Sequence, residues 1–84
     1  MLDTAYTLTL QVRDAPGVLV RTAQVFGRRG ANISQIHVDH PDREPYSQMT
    51  IVVHNVARID QITKQLEKLI DVHSVRVQSS SREL

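Results

Sequence analysis

Between Val12 and Val18 the apolar period of this chain changes from two to three and four, and that switch restricts the folds open to it more than any other feature. Tyr6, Leu8, Leu10 and Val12 alternate with Thr7, Thr9 and Gln11, so the segment from about Ala5 to Val12 reads as a strand with one apolar face. Asp14-Ala15-Pro16-Gly17 interrupts the alternation. Asp14 suits an N-terminal cap, Pro16 a position where a missing N–H does no harm, and Gly17 leaves the first helical amides uncovered. Val18, Leu19, Thr22, Val25 and Phe26 then fall at helical spacing, with Arg21, Gln24 and Arg28 opposite, until Gly30 stops the helix. A first helix from about Pro16 to Arg29 is expected.

Extended patterning returns from Asn32 to His40, with Ile36 and Val38 on one face and Gln35, His37 and Asp39 on the other. Pro41-Asp42-Arg43-Glu44-Pro45 cannot continue a ladder, and a third strand from Tyr46 to His54 completes a hairpin. Asn55 is placed to cap a second helix, in which Ile59, Ile62, Leu66, Leu69 and Ile70 form the apolar stripe and Asp60 pairs with Lys64 outside. Val72, Val75 and Val77 mark a fourth strand. Residues 1–78 are expected to form a single domain and residues 79–84 a polar tail that frays.

The order β-α-β-β-α-β predicts an α+β, ferredoxin-like sandwich: a four-stranded antiparallel sheet of order 4-1-3-2 with both helices on one face. The second strand is then an edge. It has no proline or glycine to block pairing, and joining two such edges about a two-fold axis would bury surface that a chain of 84 residues leaves wet. In that dimer the Asp14–Gly17 turn lies near the second strand of the partner, and Asn32 at its start can face it.

Composition removes several chemistries. The chain has no cysteine, hence no disulfide, thiolate metal site or cysteine nucleophile, which is compatible with a reducing cytoplasm. No apolar run approaches a membrane span, and a formal charge of +1 with mixed signs does not ask for nucleic acid. RNA-binding sheets of this topology stack bases on aromatic side chains, yet only two tyrosines and one phenylalanine are present. His37 and Asp39 share a strand face while His40 points away, so no metal set converges and none is expected. No Ser-His-Asp or paired-carboxylate arrangement emerges from the spacings, and Asp14 would repel a phosphate from the loop after the first strand. A non-enzymatic role is expected.

What remains is the turn itself. Free amides at a helix start receive an anion, and a neighbouring carboxylate receives an ammonium group, so Asp14 and the amides after it can hold both charged ends of an α-amino acid. The same residues also make an ordinary, well-capped helix start.

The run Asp14-Ala15-Pro16-Gly17-Val18-Leu19, then Val25-Phe26-Gly27-Arg28-Arg29-Gly30-Ala31-Asn32-Ile33, Ser47-Gln48-Met49-Thr50-Ile51 and Gln65-Leu66-Glu67-Lys68-Leu69-Ile70-Asp71-Val72 resembles an ACT domain. More narrowly, it is similar to the N-terminal ACT domain of acetolactate (acetohydroxyacid) synthase regulatory small subunits. The resemblance implies a non-catalytic subunit that binds a branched-chain amino acid, typically valine, at a dimer interface and modulates a separate catalytic large subunit. By position the effector would meet Asp14, Ala15, Pro16, Gly17 and Val18 of one copy and Asn32 with Ile33 of the other. Thiamine diphosphate, flavin and magnesium belong in that family to the catalytic subunit, so no cofactor is expected here. Asp14 stands where family members often have asparagine, and Ala31 where they often have an aromatic residue. An alternative expectation is a free-standing ACT module that dimerises and assists a partner without any effector.

Overall fold

The computed structural model describes residues 2–13, 17–54 and 56–83. Strand β1 spans Leu2–Arg13, helix α1 Val18–Arg28, β2 Asn32–Asp39, β3 Tyr46–His54, α2 Ile59–Glu67 and β4 Val72–Glu83. The strands form one sheet in the order β2-β3-β1-β4, with every neighbouring pair antiparallel. This is the expected order read from the other edge.

Alternation decides which side of the sheet the helices cover. Leu8 lies opposite Ile51, Leu10 opposite Met49 and Val12 opposite Ser47, so one set of cross-strand pairs faces inward along the two central strands. Phe26, Val18 and Val25 of α1 and Ile62 and Leu66 of α2 close over them, and Phe26, Leu8, Leu10, Ile51 and Leu66 are wholly buried. The other face presents Thr7, Thr9 and Gln11 of β1 with Thr50 and Gln48 of β3.

Apolar spacings of three mark where the ladders slip. Between Val72 and Val75 strict alternation fails, and the β1–β4 register shifts there, so that Gln11 meets Ser74 while Val12 meets Val72. His73 is the extra residue, and its ring stacks on Tyr46 with centroids 4.5 Å apart. Likewise Ile33 and Ile36 are three apart, and the β2–β3 register shifts between Ile33 and Gln35. The edge strand therefore carries a bulge at Ser34, although it contains no proline or glycine, while Gln35 to Asp39 pair regularly.

Helix α1 ends as expected. Gly30 has φ 68°, the Gly30 N–H donates to Gly27 O and the Ala31 N–H to Phe26 O, both at 3.1 Å, which is a Schellman closure. Four other expectations are corrected. Helix α1 begins at Val18 with Gly17 as its N-cap, rather than near Pro16, because Gly17 at φ 85° and ψ −7° is not in the helical region; Asp14, Ala15, Pro16 and the expected cap Asn55 lie outside the described residues. Helix α2 is preceded by Arg58 and stops at Glu67, and tight turns through Lys68 and Leu69 leave Ile70 92% exposed instead of on the buried stripe. Asp60 is engaged by Arg58, not Lys64. Finally β4 continues to Glu83 against the start of β1, so the segment expected to fray is in the ladder.

Truncating Phe26 to alanine should cost about 3–5 kcal/mol, and Ile70→Ser should stay within about 0.5 kcal/mol of the parent. Thermal melts of both variants check the assignment of core and surface.

Candidate functional site

Four elements converge at the end of the sandwich where β1 runs out and α1 begins. Val12 of β1, Gly17 with Val18 and Leu19 of the helix start, Val38 of β2, and Ser47 and Met49 of β3 line a cavity of about 300 Å³. That is the lower end of the range for small-molecule sites. Its wall is mostly aliphatic. Val12 and Met49 are buried, whereas Leu19 and Val38 remain 43% and 47% exposed, so apolar surface is left uncovered at the mouth.

The polar side of the site is backbone. The first bond of α1 runs from the Arg21 N–H to Gly17 O at 2.9 Å, so the amides of Val18, Leu19 and Val20 have no acceptor within the helix. Gly17 has no side chain to cap them, and no acidic residue lies in the first turn. The positive end of the helix thus opens beside the cavity. The Arg21 guanidinium lies beside Gly17 and pairs with Asp71, and the Arg13 N–H donates to Asp71 O at 2.7 Å, which ties β1 and α1 to the turn before β4. On the opposite wall the buried Ser47 hydroxyl lies 2.8 Å from His40 Nδ1, fixing the end of β2 against β3.

Sequence-predicted residues fall into three groups. Gly17 and Val18 line the cavity. Asp14, Ala15 and Pro16 lie outside the described residues. Asn32 and Ile33 are at the far end of β2, paired with His54 and Val53, whereas Val38 is paired with Met49; about six residues of strand, roughly 20 Å, separate them from the cavity in one protomer. Val12, Leu19, Val38, Ser47 and Met49 were not expected as site residues. Leu19 and Val38 carried a signal only through their uncovered apolar side chains. Among the described residues no group of three or more His, Asp or Glu side chains gathers to hold a metal.

Residues 8–74 match the model of the AHAS small subunit-like ACT domain. The chain belongs to that family. It is 45% identical over 84 aligned residues to the acetolactate synthase small subunit of Mycolicibacterium smegmatis, covering 94% of this chain and 49% of that protein. The Mycobacterium bovis small subunit is also 45% identical, covering all of this chain and 53% of its own length. The crystal structure of the Thermotoga maritima acetolactate synthase small subunit superimposes with a TM-score of 0.75 at 35% identity, over 87% of this chain and 46% of that one. The chain therefore spans about half the length of the curated relatives it matches. The ACT domain of a Chlorobium tepidum GTP pyrophosphokinase shares the fold, with a TM-score of 0.73 at 17% identity.

Gly17 in this ACT domain is required by backbone conformation. At φ 85° a side chain is strained, and a Cβ would stand 3.2 Å from the Arg21 guanidinium. Gly17→Ala should lower stability by about 1–2 kcal/mol, read as a drop in Tm with the far-ultraviolet circular dichroism of the folded state retained.

Proposed function

We propose that this chain is a non-catalytic regulatory subunit of acetolactate synthase that binds a branched-chain amino acid, with valine the first candidate, and modulates the catalytic large subunit. The observation that carries this reading is the cavity beneath the start of α1, with aliphatic walls of Val12, Val18, Leu19, Val38 and Met49 next to uncapped amides. An α-amino acid with a branched aliphatic side chain presents the matching chemistry: its carboxylate meets the amides and its side chain enters the apolar cleft. Asp14, adjacent in sequence to this turn, supplies the acceptor for the ammonium group. The names of the relatives support the assignment to a small subunit.

The site is completed by a second copy. Along β2 every residue but Ile33 is exposed, and Ile36 is 42% exposed on the same flank as Leu19 and Val38. Antiparallel pairing of two β2 edges through their regular part, Gln35 to Asp39, reverses one strand against the other. Asn32 of the second copy then lies toward the Asp39 end, and so toward Gly17. Each two-fold dimer holds two equivalent sites.

Valine, leucine or isoleucine at millimolar concentration should raise the Tm, since a ligand of the folded state adds stability by mass action, and D-valine should not. Asp14→Ala and Asn32→Ala should fold normally and abolish the shift. Absence of a shift with all three L-amino acids, together with recovery of the catalytic subunit from cell extract, would leave an assembly partner without effector in place of a feedback sensor.

A further inference from the structure

The outer surface of the helical layer carries positive charge that is only partly compensated among the described residues. Residues 18–30, α1 and its closing turn, contain Arg21, Arg28 and Arg29 and no acidic residue. Helix α2 and its two caps add Arg58, Lys64 and Lys68, against the acids Asp60 and Glu67. Two of these six are neutralised: Arg21 by Asp71, and Arg58 by Asp60, whose carboxyl is held below its ordinary value chiefly by the hydrogen bond from Arg58. Because Arg58 takes Asp60, Lys64 loses the partner that i,i+4 spacing would have given it. Among the described residues no carboxylate reaches Arg28, Arg29, Lys64 or Lys68.

Arg28 and Arg29 border a groove whose other wall is α2, the helix that carries Lys64 and ends at Lys68. Helix α1 follows β1 and α2 follows β3, which run in opposite directions, so the helices are antiparallel. Val25, Arg28 and Arg29 face Gln65 across a cleft of about 150 Å³, and Arg29 also hydrogen-bonds the Gln61 side chain. Gln61, Gln65 and Lys68 succeed one another at i, i+4 and i+7, so Lys68 extends the stripe of α2 that faces α1, with Lys64 between Gln61 and Lys68 on the solvent side. The Arg29–Gln61 and Arg21–Asp71 contacts mark the two ends of the groove. Helix dipoles account for a cation in each last turn, Arg28 of α1 and Lys64 of α2, but not for the absence of any acid along α1.

We propose that this interhelical groove docks an acidic surface of the acetolactate synthase catalytic subunit, a proposal that rests on the function given above. Guanidinium forks, ammonium groups and the amides of Gln61 and Gln65 are donors suited to carboxylates. Nucleic acid fits less well: strand binding uses exposed aromatic rings between cations, and Phe26 is buried while Tyr46 stacks on His73. The groove is also too small for a nucleotide-sized ligand. It lies on the α2 side of α1, away from Leu19 and the β2 edge, so the catalytic subunit, a second copy and an amino acid can be bound together. Helix α1 is common to all three.

The test is binding of the whole 84-residue chain to the purified catalytic subunit from the same cell, over a range of salt. Affinity should fall steeply as salt rises, and Arg28→Glu with Lys68→Glu should weaken it by roughly tenfold or more, with Lys64→Gln acting in the same direction. Arg28→Gln with Lys68→Gln serves the same purpose should the glutamates disturb folding. Arg76→Glu, on the opposite face, should leave affinity within about twofold, and all groove variants should keep the valine-dependent rise in Tm. Unchanged affinity in the groove variants overturns the docking surface alone, as does weakened binding of an RNA oligonucleotide with subunit binding intact. Failure of the parent chain to bind the catalytic subunit overturns the regulatory reading as well.

Discussion

Among the described residues two helices, of eleven and nine residues, cover a sheet of four strands, and most of the surface chemistry follows from that shortage. At a rise of about 1.5 Å per residue the helices are some 14–17 Å long, while a strand of twelve residues extends about 40 Å. The helices therefore sit over the middle of β1 and β3, where Leu8, Leu10, Met49 and Ile51 are fully buried. Strand β2 receives little: Ile33 is partly covered, and Ile36 and Val38 keep nearly half their area in water. The cleft between α1 and β2 and the exposed apolar residues of that edge strand have this one origin.

Element order and pairing were legible because the strongest periodicities lie on the most buried strands. β3 spans the residues that alternation assigned to it, and β1 pairs with it as a central strand must. Ends were less legible. Leu69 and Ile70 continue the helical spacing of Ile62 and Leu66, yet only Leu69 is packed, since the chain has already turned toward β4. Polar composition suggested that residues after Gln78 fray, whereas backbone pairing with β1 continues, a constraint that side-chain hydrophobicity does not encode. The bulges at Ser34 and His73 had a sequence signature in the three-residue spacings Ile33 to Ile36 and Val72 to Val75, each incompatible with a regular alternating face.

The candidate site was legible only where one segment makes it. Gly17 and Val18 belong to a turn whose chemistry is local, and their place at a helix start follows from that chemistry. Val12, Leu19, Val38, Ser47 and Met49 come from separate elements brought together by sheet order, and each reads in sequence as an ordinary core or helix residue. Starting α1 at Val18 rather than near Pro16 also changes which amides are free: those of Val18, Leu19 and Val20, at the helix start where Gly17, Val18 and Leu19 line the cavity. Asn32 presents the opposite case, because no arrangement of a single β2 strand brings it to Gly17. Its part in the proposed site depends on the bulge at Ser34 leaving Gln35 to Asp39 regular enough to pair.

Helix α1 has two chemically different ends, and this bears on how a ligand at one end is felt at the other. Its start is uncapped by Gly17 and opens on the cavity; its finish is closed by the Gly30 turn and carries Arg28 and Arg29. Between them Val18, Thr22, Val25 and Phe26 lock one face into the core, and the Thr22 hydroxyl is satisfied internally by Val18 O at 2.8 Å. Among the described residues the side-chain hydrogen bonds from α1 and its cap to neighbouring elements are Arg21 with the half-buried Asp71 and Arg29 with Gln61, surface pairs of the kind that contribute little. A bound effector changes the far end only by favouring one position of the helix over another. In the proposed complex such a preference, acting on a helix held by a tight apolar face and weak polar flanks, would favour a small rigid shift of α1, carrying Arg28 and Arg29, over its melting.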